Sequence, residues 1–63
     1  MNVELLKRYN KIEIASLLQF TDAQLKIAEQ KKYLVFFDGY MYGIYFFQFL
    51  KTYNKQLENI KDN

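Results

Sequence analysis

Two helix-start signals eleven residues apart constrain this chain more than anything else in it. Asn10-Lys-Ile-Glu13 and Thr21-Asp-Ala-Gln24 each set a side-chain acceptor three residues ahead of a Glu or Gln. In that arrangement, a capping box, the cap side chain takes the N–H of the third helical residue, whose own side chain takes the cap N–H. The spacing predicts helices over 11–18 and 22–32 with a three-residue turn between them. Ile12, Ala15 and Leu18 are expected to face inward from the first, Leu25 and Ala28 from the second. Asp22 in the first turn and Lys31 and Lys32 in the last suit the dipole of the second helix.

The flanks are read by the same rules. Residues 2–9 form an amphipathic segment with Val3, Leu5, Leu6 and Tyr9 apolar, and Glu4 and Arg8 at i,i+4 predict a short helix. After the helix pair, YLVFF and YMYGIYFF surround Asp38-Gly39, the residue pair of a tight β-turn, which predicts a hairpin. Gly43 marks a bulge or the end of its second strand. From about residue 45 the period changes. Phe46, Leu50, Tyr53, Leu57 and Ile60 repeat at 4-3-4-3 spacing, the stripe of a closing helix that ends near Lys61.

With 63 residues there is room for a single small domain, residues 1–63, of α+β class and mostly helical. Six Phe and six Tyr are more rings than so small a core can hold, so some are expected on a partner-facing surface, with a homodimer the first candidate. Leu34, Phe36 and Met41 are assigned to the core; Phe37, Tyr40, Tyr42, Phe47 and Phe49 to a protein interface. The chain has no Cys and no His, which argues against a structural zinc and suits a reducing cytoplasm. The first ten residues lack the apolar run of a signal peptide. Residues 33–50 carry no Lys or Arg, but Asp38, Gln48, two Gly and four Tyr oppose a membrane span.

Within this order, IASLLQFTDAQLKIA has the apolar skeleton of a helix-turn-helix, with small Ala15 at the helix contact, Leu18 and Phe20 flanking the turn and Leu25 packing back. With the hairpin and closing helix, residues 9–60 resemble the small excisionases of phages and conjugative transposons and the related MerR-like DNA-binding domains. Gln19 stands where that family usually has Gly, and the family's basic recognition helix and basic wing are not matched. The resemblance implies a winged helix-turn-helix built as short helix, helix pair, β-hairpin wing and C-terminal helix.

On that resemblance the second helix would face double-stranded DNA through Thr21, Asp22, Ala23, Gln24, Lys26, Gln30 and Lys31. Thr21 and the helix N-terminus suit phosphate, Gln24 or Gln30 an adenine edge, and Lys26 guanine or phosphate. Against this, the net charge is only +2 and the hairpin segment has no cation. The aromatic hairpin equally suits a host or viral protein as partner. Catalysis is not expected: no residue pair has acid–base spacing, and no metal, cofactor or small-molecule substrate is implied.

Overall fold

The computed structural model describes residues 2–62. Its elements run β1 (Arg8–Asn10), α1 (Lys11–Leu18), α2 (Asp22–Gln30), β2 (Tyr40–Tyr42), α3 (Gly43–Thr52) and α4 (Asn54–Lys61). The described chain is therefore α+β and mostly helical. β1 and β2 make a two-stranded antiparallel sheet, with Arg8 opposite Tyr42, Tyr9 opposite Met41 and Asn10 opposite Tyr40. Side chains alternate across a strand, so the central pair, Tyr9 and Met41, is buried while the flanking Arg8, Tyr40 and Tyr42 face solvent.

Both capping boxes form in full. The Asn10 side chain accepts the Glu13 N–H at 2.8 Å while Glu13 Oε1 accepts the Asn10 N–H at 3.1 Å. Thr21 Oγ1 accepts from Gln24 N–H at 3.2 Å, and Gln24 Oε1 accepts from Thr21 N–H at 2.9 Å. The two helices also end alike. Gln19 (φ 58°) and Lys32 (φ 64°) turn left-handed, and Phe20 and Tyr33 donate back to the Ala15 and Ala28 carbonyls, both at 2.9 Å. These are Schellman ends built without glycine. The second one stops α2 at Gln30, two residues short of the expected helix.

Four expectations are corrected. The first is the short helix over 2–9. Residues 4–7 make a turn and 8–10 a strand, and the Tyr9 hydroxyl accepts the Glu4 N–H at 2.9 Å. A Glu4–Arg8 pair on a helix is worth about 0.2–0.5 kcal/mol. Burying the Tyr9 ring is worth roughly 1.5–3 kcal/mol, and strand pairing adds to it. The second is the phase of α1. Ile12 is 81% exposed and Ile14 is fully buried, because the strand that delivers Tyr9 inward sets the rotation at which Ile14, Ala15 and Leu18 meet the core.

The third correction concerns the hairpin. Its turn forms as read: Asp38 (φ 54°) and Gly39 (φ 81°) are left-handed, and Phe37 and Tyr40 exchange hydrogen bonds of 2.7 and 3.0 Å. The pairing goes no further back, because Tyr33 and Leu34 donate to the Ala28 carbonyl and Leu34 drops into the core. β2 takes β1 as its partner instead. Fourth, the closing helix begins at Gly43 and breaks at Tyr53 (φ −117°, ψ 29°). There the Tyr53 ring lies 4.9 Å from that of Tyr33 and 6.3 Å from that of Phe49. The break turns α4 back against α2. The stripe itself persists, with Phe46, Leu57 and Ile60 buried and Leu50 and Tyr53 half-buried.

The start of α3 has no side-chain cap. Its first two N–H groups, Gly43 and Ile44, donate to the Lys7 and Leu5 carbonyls, each at 2.9 Å. The loop thus acts as a backbone cap, and only a residue without a side chain lets it lie so close: a Cβ on Gly43 would collide with the Glu4 carbonyl. Gly43→Ala is expected to lower unfolding free energy by about 1–3 kcal/mol, as overpacking does. Urea denaturation followed by circular dichroism measures this.

Candidate nucleic-acid interface

α2 is held from two sides and open on a third. Leu25 and Ala28 face the core, and α4 packs along the helix. The residues left to solvent include Thr21, Asp22, Ala23, Lys26, Gln30 and Lys31, six of the seven singled out from the sequence. They do not form one set. Ala23, Lys26 and Gln30, at i, i+3 and i+7, make the outward stripe. Asp22 and Lys26 also line a cleft against Lys11 and Ile12 of α1. Lys31 lies elsewhere, with Ile27 in a cleft against Gln56 and Asn59 of α4.

The seventh residue, Gln24, has a structural task. Beyond its cap bond, its Nε2 donates to the Ile60 carbonyl at 3.1 Å and the Lys61 carbonyl at 3.3 Å. One amide thus links the N-terminus of α2 to the last carbonyls of α4, satisfying acceptors that a helix end leaves open.

The structure brings two further cations to this region that sequence reasoning left out. Lys11 Nζ pairs with Glu29 of α2 at 3.0 Å and lies 5.6 Å from the ring of Phe36, so it spans the gap between α2 and the approach to the hairpin turn. The Arg8 guanidinium lies 4.6 Å over the ring of Tyr40. The hairpin segment has no cation of its own, yet strand pairing supplies one. Neither placement has a local signal in the sequence, since both depend on contacts more than fifteen residues away.

Lys7 and Glu13 form a separate exposed pair at 3.3 Å. The hydrogen bond to Glu13 raises the Lys7 ammonium above its ordinary value. The Asn10 N–H, then Lys7, hold the Glu13 carboxyl below its own. This pair steadies the start of α1.

The aromatic surface lies at the hairpin. Phe37 is 72% exposed, and Tyr40, Tyr42 and Tyr45 stand partly open around a hollow of about 460 Å³ that also includes Arg8 and Asp38. Tyr42 and Tyr45 meet edge to face, with ring centres 6.5 Å apart. Phe47 is exposed on α3, away from this hollow, whereas Phe49 is half-buried against the core. The five rings assigned to an interface therefore divide: three at the hairpin, one on α3, and one largely structural. Of the rings and side chains assigned to the core, Leu34 and Met41 are buried and Phe36 is half-buried.

No group of three or more His, Cys, Asp or Glu that could hold a metal occurs among the described residues. None of the described helices is long and apolar enough to cross a membrane; residues 33–50 divide into a loop, β2 and part of α3. Comparison with protein-family models, with curated proteins and with solved structures gives no match.

Because Gln24 closes a cap and links two helices, Gln24→Ala is expected to cost about 1–2 kcal/mol of stability. Gln24→Glu keeps the cap acceptor but sets a carboxylate oxygen against the Ile60 and Lys61 carbonyls at the negative end of α4, so it should lose at least as much as Gln24→Ala. Thermal and urea unfolding of the two variants measures the difference.

Proposed function

We propose that this chain is a small DNA-binding protein of regulatory or architectural type, built on winged helix-turn-helix lines. It corresponds to the excisionase or repressor kind that phages and mobile elements use in a bacterial cytoplasm. One observation carries the reading: Lys26 of the outward α2 stripe shares a cleft with Lys11, Lys11 lies 5.6 Å from the ring of Phe36 ahead of the hairpin turn, and Arg8 lies over Tyr40 beyond it. Small Ala23 lets the helix approach a groove closely. Lys26 reaches phosphate or guanine, Gln30 an adenine edge, and the first-turn N–H groups of α2 a phosphate. Arg8, stacked on Tyr40, serves the wing.

Lys11 shares its charge with Glu29, so the electrostatic part of binding is modest. About three phosphate contacts give a log–log salt slope near −2.7. Titration of a duplex between about 50 and 200 mM salt is expected to show that slope, and Lys26→Ala should reduce its magnitude by about one. Failure to bind duplex DNA at the low salt overturns the proposal.

The exposed rings of Phe37, Tyr40 and Tyr42 favour a second reading, an inhibitor or adaptor that docks on a host or viral protein. Tyr, Phe and Arg in one solvent-facing cluster are the anchors of protein interfaces. In that case Tyr40→Ala with Tyr42→Ala abolishes capture of the protein partner while the chain stays folded, at a stability cost of about 1–2 kcal/mol, since both rings are more than half covered. A collapsed fold in the double variant would instead assign those rings a structural role.

A further inference from the structure

A second apolar surface lies apart from both of these sites. The turn at residues 4–7 presents Leu5 and Leu6, the latter 88% exposed, and α3 beside it presents Ile44 and Phe47. Leu5, the neighbour of Leu6 in that turn, lines an open cleft of about 720 Å³ together with Val3, Phe47, Leu50, Lys51 and Asn54. An isolated exposed leucine is ordinary; a projecting one beside an apolar hollow is a knob adjoining a hole. We infer that this face is a two-fold interface between two copies of the chain, Leu6 of each filling the cleft of the other.

Three features select a second copy as the occupant. In a two-fold interface the same patch must serve as both donor and recipient, and knob and hole lie here on one patch. The charges are also placed for it. The Glu4 backbone lies over Gly43, and Lys51 is eight residues further along α3, with Phe47 midway. At about 1.5 Å per residue, Gly43 and Lys51 are each roughly 6 Å from Phe47 along the helix. An axis through Phe47 sets the Glu4 backbone opposite Lys51 of the second copy, twice, and Lys51 Nζ, 5.5 Å over the Phe47 ring, would turn from that ring to the facing Glu4 carboxylate.

The area suits a weak dimer. Leu5, Leu6, Ile44 and Phe47 expose on the order of 400 Å², taking about 180 Å² for a fully open side chain of this size. Val3, Leu50 and the Lys51 stem bring the face toward ~500 Å² per partner, the size of weak, concentration-dependent contacts. The chain's whole surface is 4729 Å², so such a contact uses about a tenth of it. None of these residues belongs to the outward stripe of α2, so association leaves that stripe open.

Sedimentation of the whole chain from about 1 to 500 µM tests the proposal, since association depends on concentration. The expected mass rises to twice that of one chain. Leu6→Asp should remain monomeric throughout, with unchanged melting at the lowest concentration. Glu4→Lys should weaken the dimer about tenfold, and adding Lys51→Glu should restore it, as a reversed charge pair does. A chain monomeric at the highest concentration overturns the inference. So does a dimer indifferent to Leu6→Asp, or a charge reversal that fails to restore it.

Discussion

The fold depends on the pairing of Arg8–Asn10 with Tyr40–Tyr42. Those six residues join the two ends of the helix pair, and everything else is placed by that closure. It buries Tyr9 and Met41 as the lid of the core, leads straight into the Asn10 cap of α1 and delivers the chain to the start of α3. It also draws the loop over Gly43, whose lack of a side chain permits the contact. A sheet this small is marginal alone; it persists because its inward pair is packed against helices.

Shape and charge pull in different directions in this molecule. The helix pair, with its left-handed turn at Gln19, leaves the α2 stripe open to solvent, the shape on which the proposed groove contact rests. The charge is sparse, and much of it is paired: Lys7 with Glu13, Lys11 with Glu29. Four of the cations among the described residues also lie over rings of the same chain, Lys7 on Tyr9, Arg8 on Tyr40, Lys11 on Phe36 and Lys51 on Phe47. A cation over an aromatic face gains only about 0.5–1 kcal/mol at an exposed site. That is small enough to be exchanged for a phosphate when one approaches.

What could be read from the sequence was local. The capping boxes lie within four-residue windows, and Asp38-Gly39 carries its backbone preference in two residues; all three form as read. The stripe from Phe46 to Ile60 gave the inner face of the closing segment through its period alone. What could not be read depended on distance. Residues 8–10 show no strand pattern of their own, because their partners lie thirty or more positions away. Ile12 and Ile14 fit the helical period equally well until Tyr9 fixes the rotation. The solvent-facing stripe of α2 followed from periodicity, but the hold of Gln24 on the end of α4 and the arrival of Arg8 at the hairpin required the closed fold.

Among the described residues, three that are not glycine, Gln19, Lys32 and Asp38, are in the left-handed region, each at a corner of the chain. Most chains use glycine there, since another residue is strained by about 1–2 kcal/mol. Glycine turns the backbone and offers a neighbour nothing to hold. Here the same corners present an amide, an ammonium and a carboxylate to solvent. In a chain of 63 residues, with little surface to spare, the corners become places where identity can be written. Relatives of this chain could diverge in what they recognise by changing those three side chains while every element stays where it is.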